Sequence, residues 1–196
     1  MNLTTMGRAS FLAAPACMLA YGLVRILDGR DGHYGPGTAW TVGHFFFLFC
    51  LMFYGVVLLE LRAKVPGRAA DLAAAVGLVG LVAFVRVAVV DIVVGLRADD
   101  PVQKKELARR FADDPDFLPR VVYDVGPLLF EVGLFVLLLR IALVTRAPRW
   151  AAGIVALGFV LVTVNLDLLP LGALLIWIGL VGLNTETRGQ RWKVRR

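Results

Sequence analysis

The sequence predicts an all-α fold, a polytopic membrane helix bundle of six transmembrane helices plus a short extracytoplasmic surface helix, forming one domain over 1–196. Three observations carry that expectation. Hydrophobic residues make up 59% of the 196 and mean hydropathy is +0.75, whereas a soluble domain is typically about 45–50% apolar. Several apolar runs reach the ~20 residues needed to cross a hydrocarbon core. Basic residues gather in alternate connections, as they do on the cytoplasmic side of membrane proteins. The net charge of +6 is thereby an orientation signal and not a nucleic-acid signal.

The expected spans are 9–27, 38–61, 69–96, 121–144, 150–167 and 169–184. The first follows Arg8 and resembles a signal peptide, but no small-residue cleavage site precedes Asp28, so it is read as uncleaved. Ala9, Ala13, Ala16 and Ala20 give it one small-residue stripe for close packing. Asp28–Gly37, rich in Gly, Asp and Pro, reads as a loop. Trp40 opens the second span as an interfacial anchor. Arg62, Lys64, Pro66, Gly67 and Arg68 form a basic turn, and small residues through Gly77 and Gly80 open the third span. In Arg97–Arg120, Asp100 and Pro101 make an N-cap and N1 pair, predicting a surface helix over 101–112 with Leu107 and Phe111 on one face. The acids Asp113, Asp114 and Asp116 end it as turn and capping residues. Trp150 starts the fifth span, and Asn165, Asp167 and Pro170 split the last apolar stretch in two. Arg8, the Arg62–Arg68 and Arg146–Arg149 turns, and the basic tail 188–196 share one side, which places both termini in the cytoplasm of a plasma membrane. The tail faces anionic lipid. Arg outnumbering Lys, with abundant Ala, Gly, Val and Leu, hints at a GC-rich bacterial genome.

Ions inside the spans are the only chemical signal. A charge at mid-membrane costs roughly 2.5–3.5 kcal/mol on insertion scales. Arg86 and Glu131 each lie about ten residues, ~15 Å, from the outer end of their runs, which predicts a mutual ion pair. Asp91, Asp124 and His44 lie higher, and Arg25, Asn165 and Asp167 occupy outer helix ends. The expected outward-facing polar pocket is therefore His44, Asp91 and Asp124, with Asn165 at the rim, closed below by Arg86 and Glu131. Each residue also has a bland reading: an ion pair locking helices, hydrated acids, a hydrogen-bonded packing histidine. Glu60 and Arg140 are expected to snorkel. Cys17 and Cys50 read as small buried hydrophobes. With no Cys/His cluster, no metal or other cofactor is expected.

No GxSxG, HExxH, P-loop or dinucleotide-binding pattern occurs, and with only His33 and His44 present a bis-histidine haem has no support. The chain is accordingly read as leaning away from an enzyme, with the question left open. The leading expectation is a membrane protein that binds a small solute, lipid or proton in the pocket. The alternatives are a non-catalytic accessory or scaffold subunit with structural ion pairs, and an intramembrane enzyme on a lipid or isoprenoid. Expected partners are membrane lipid and a small-molecule ligand or a second membrane protein. In length, helix count and the stretch Gly35–His44 (GPGTAWTVGH), the chain resembles small six-helix integral membrane proteins of actinobacteria. That resemblance implies a fold and no activity or site.

Overall fold

The structure, a computed structural model, describes residues 5–112, 117–145 and 147–193, with side chains at 5, 31, 117–123 and 184–193 left aside. The expected acidic cluster 113–116, Arg146 and the side chains of the basic tail fall outside the described residues. Among the described residues there are seven α-helices and no strand: α1 (Thr5–Asp28), α2 (Thr38–Lys64), α3 (Arg68–Arg97), α4 (Pro101–Ala112), α5 (Phe117–Val144), α6 (Arg149–Val164) and α7 (Leu169–Lys193). Five carry stretches long and apolar enough to cross a membrane, on α1, α2, α3, α5 and α7. The chain is a helical bundle, and its five such helices suggest a multi-pass membrane protein. The sixth apolar helix, α6, has only 16 residues. It stops at Val164 and not at 167, because Asn165 leaves helical geometry and its Oδ1 accepts from the Asp167 backbone N–H at 2.9 Å, capping a 3₁₀ turn over Leu166–Leu168. Helix α4 has the expected bounds. Asp100 Oδ1 accepts from the backbone N–H groups of Val102 and Gln103, each at 2.8 Å, satisfying two of the first-turn donors that a helix leaves open.

Without a hydrophobic force between helices in lipid, close association depends on small residues at the contact. The α3–α5 seam is built that way. A Cβ added to Gly80 would lie 2.2 Å from the Phe130 backbone nitrogen, and one on Gly133 would lie 2.4 Å from the Gly77 Cα. The two backbones touch, so the antiparallel register pairs 77 with 133, 80 with 130 and 83 with 126. Gly158 and Gly172 make a similar approach between α6 and α7. Around the bundle α1, α2, α3 and α5 pack in turn, α6 packs on α7, and α7 returns to α1; α5 and α6 touch far less.

The weakly closed side is bridged by rings. Tyr54 of α2, Phe130 of α5 and Phe159 of α6 form a triangle with centroids 5.5–6.0 Å apart, and all three are buried. The ring contacts continue from Phe130 to Phe84, Phe47 and Tyr21, ending at His44. Aromatic contacts of these kinds, edge-to-face, tilted and stacked, add about 0.5–1.5 kcal/mol each beyond burial. At the opposite end from α4, Arg62 Nε donates to Asp71 Oδ1 at 2.6 Å across the turn joining α2 to α3, and Arg140 Nη2 donates to the Pro66 carbonyl at 3.4 Å.

Gly80→Ala should force α3 and α5 apart, because the added methyl meets backbone rather than a movable side chain. A loss of roughly 1–3 kcal/mol is expected in reversible unfolding from detergent micelles. Gly153→Ala, where nothing lies within 4 Å of the new methyl, should leave stability unchanged or raised.

Candidate functional site

The polar centre sits at the α4 end of the bundle, and Trp40 organises it. This residue lies in the first turn of α2, where its indole Nε1 donates to the Asp91 carbonyl on α3 at 2.9 Å. The indole fits only because position 95 is glycine: a Cβ there would lie 2.3 Å from Trp40 Cδ1. One turn on, His44 lies against the same indole, centroids 4.1 Å apart and the rings tilted by 33°. His44 is 4% exposed, one of two buried polar side chains among the described residues, the other being Ser10, which donates to the Met6 carbonyl.

The protonation logic of His44 follows from its partners. Nδ1 lies 2.8 Å from the Trp40 carbonyl oxygen, which can only accept, so that contact assigns a proton to Nδ1. Nε2 is then the titrating nitrogen, and it faces Asp91 Oδ2 at 3.7 Å. A neutral imidazole opposite an ionised carboxylate would set two lone pairs against each other. The arrangement is attractive when one proton resides on either partner.

Charged groups ring this couple. Arg25 of α1 lies over the Tyr34 ring, 4.0 Å from its centroid, and its Nη2 is 3.9 Å from Asp167 Oδ1. Its Nε is buried without a hydrogen-bond partner. The Tyr34 hydroxyl donates to Asp167 Oδ1 at 3.2 Å, and Asp28 Oδ2 accepts from the Gly35 backbone N–H at 2.9 Å. From above, Lys104 of α4 places Nζ 3.6 Å from the centroid of the Trp40 ring and donates to the Tyr34 carbonyl. Partial burial lowers the pKa of Lys104 from its ordinary value; Asp28 and Asp91 draw it back up, and Arg25 lowers it further. The cavity enclosed by Tyr21, Arg25, Asp28, Tyr34, Trp40 and His44 leaves only about 10 Å³ for the centre of a water-sized sphere. That is about the minimum a single water requires.

Of the residues expected to share one pocket, only His44 lines the cavity; Asp91 faces His44 at 3.7 Å without lining it. The Arg86–Glu131 pair does not form. Glu131 Oε1 instead lies 3.1 Å from Thr163 Oγ1 of α6, whose one hydroxyl proton is shared between this carboxylate and the Phe159 carbonyl at 3.0 Å, across the weakly packed α5–α6 contact. Arg86 is exposed on the outer face of α3. The expectation measured depth from the charged ends of each run, but the glycine seam sets it: Arg86 is level with Asp124, and Glu131 lies seven residues, ~10 Å, further down α5. Asp124 is exposed and outside the cavity. Asn165 caps its turn next to Asp167 and does not line the cavity. Sequence reasoning missed Trp40, Tyr21, Tyr34 and Lys104 as members of the site. The four-residue spacing of Trp40 and His44 was a usable signal, since it puts both on one helix face. Nothing in the sequence brings Lys104 to a ring 64 positions earlier.

No protein-family model, curated protein or solved structure matches the chain, so its function rests on this geometry.

Lys104→Met should loosen α4 from the site. The lost cation–π contact alone is worth about 0.5–2 kcal/mol, so amide exchange over Pro101–Ala112 should rise several-fold in hydrogen–deuterium measurements. Lys105→Met, changing an exposed neighbour, should leave it unaltered.

Proposed function

We propose that the chain is a six-span plasma-membrane protein with both termini cytoplasmic, and that its outward-facing polar cluster binds and releases a proton through His44 and Asp91. In this arrangement α4 lies on the extracytoplasmic surface, and the 16-residue α6 completes the even number of crossings that the loop charges require. The single observation that carries the reading is the facing of His44 Nε2 and Asp91 Oδ2 with Nδ1 committed elsewhere. Ionisable groups in this position default to a functional role. The cavity beside His44, which Asp91 does not line, has room for a water and not for a solute or lipid.

A second reading, an accessory subunit with structural polar ties, draws support from how the other polar groups are used. Glu131 ties α5 to α6, Arg25 reaches Asp167 before α7, and Arg62 ties α2 to α3. Those ties hold the frame, and His44 with Asp91 is the couple left to exchange a proton.

A protein carrying Trp40 as its single tryptophan separates the two, because an imidazolium lying against indole quenches its fluorescence. Acidification should quench Trp40 in one transition. His44→Gln should abolish the quench, and Asp91→Asn should displace its midpoint by about one pH unit or more with helical content unchanged. A quench that survives in His44→Gln sinks the proton-site reading.

A further inference from the structure

Arg86 is the most anomalous residue in the bundle. The exposed stripe of α3 runs through Leu72 (67% exposed), Val79 (63%), Val82 (71%) and Val89 (43%), and Arg86 falls on it, exposed and without a partner among the described residues. The residue lies eleven positions, ~16 Å, below the end of α3 at Arg97. A guanidinium among valines at that depth is costly unless something outside the chain compensates it.

A compensating group of opposite sign is present on the same molecule. Asp124 of α5 is also exposed and also without a partner among the described residues. Its neighbours Val125, Leu128 and Val132 are 38%, 52% and 53% exposed. The α3–α5 register sets Asp124 level with Arg86. The two nevertheless do not pair, because Asp124 shares the face of α5 that carries Glu131 toward α6, whereas Arg86 points away from the bundle on α3. One chain therefore offers a cation on one apolar flank and an anion on another, at a single depth.

We infer that Arg86 of one copy pairs with Asp124 of a second copy, joining the α3 flank of one chain to the α5 flank of the next within the membrane. Copies related by an axis along the membrane normal keep every residue at its depth, so equal levels are what such a contact requires. Two different patches meet, so the contact is heterologous and closes into a ring of copies when the rotation between them allows. Surrounding valines and leucines supply the apolar packing, and the ion pair fixes register and direction. The inference needs the helices to lie in a membrane and is independent of proton binding at His44.

The test uses the full chain in lipid nanodiscs or mild detergent, with the dissociation constant read by single-molecule photobleaching or light scattering. The wild type should associate. Arg86→Asp and Asp124→Arg should each weaken association at least tenfold while the monomer keeps its helical content, and the double variant carrying both changes should regain most of the affinity. That recovery separates lost pairing from lost folding. A monomeric wild type overturns the inference. So do single reversals that associate as tightly as wild type, or a double variant as weak as its parents. Loss of bound anionic phospholipid from Arg86→Asp in native mass spectrometry, with association unchanged, assigns Arg86 to a headgroup and equally overturns it.

Discussion

Backbone contact between α3 and α5 is the constraint from which the rest of this structure takes its geometry. Two helices that meet through glycine have no side chains to absorb a slip, so their register is fixed by atoms that cannot move aside. The consequences extend along both helices. The seam sets Phe130 against the centre of the bundle, where it joins Tyr54 and Phe159. It brings Glu131 to the level of Thr163. It also holds the outer ends of α3 and α5 together, so that α4, strung between them, lies over the end of the bundle and can deliver Lys104 to Trp40.

The polar centre has a matching hierarchy. Trp40 is held by a hydrogen bond to α3 and by the gap at Gly95, and it supplies both a carbonyl that orders His44 and a ring face for Lys104. A single indole thus links α2, α3 and α4. The row of rings from His44 through Tyr21, Phe47 and Phe84 to Phe130 connects this centre mechanically to the core. A change in the charge of His44 acts on a tightly packed partner and not on solvent.

Much of the architecture was legible in the sequence because its signals are local. Apolar run length, the turn residues Gly, Pro and Asp, and the Asp100–Pro101 cap all act within a few positions, and they located the helix ends to within four residues, except that α7 runs on to Lys193, nine past the expected 184. The start of α5 was misjudged by four residues, Phe117 against 121, which covers only part of the seven-residue offset between Glu131 and Asp124, the acid level with Arg86; the glycine seam sets the rest. Depth in a membrane is a tertiary quantity, decided by where Gly77, Gly80 and Gly133 touch, and no run of residues encodes it alone. His44 and Asp91, which the structure sets facing each other, stood out in the sequence because ionisable residues are rare within an apolar run. Tyr21, Tyr34 and Trp40 did not stand out, since aromatic residues near helix ends have an ordinary role at the interface, and only the fold turns them inward.

The brevity of α6 has an effect on what surrounds the protein. Sixteen residues of helix measure ~24 Å, about 6 Å less than the thickness of a typical hydrocarbon layer. The turn after it sits low, with Asp167 at the level of Arg25, one helical turn beneath the end of α1 at Asp28. Where α6 serves as the proposed sixth crossing, lipid beside this flank has to thin or dimple to meet it. In that proposed arrangement the bundle is lopsided toward its solvent, drawing the bilayer thin on the α6 flank.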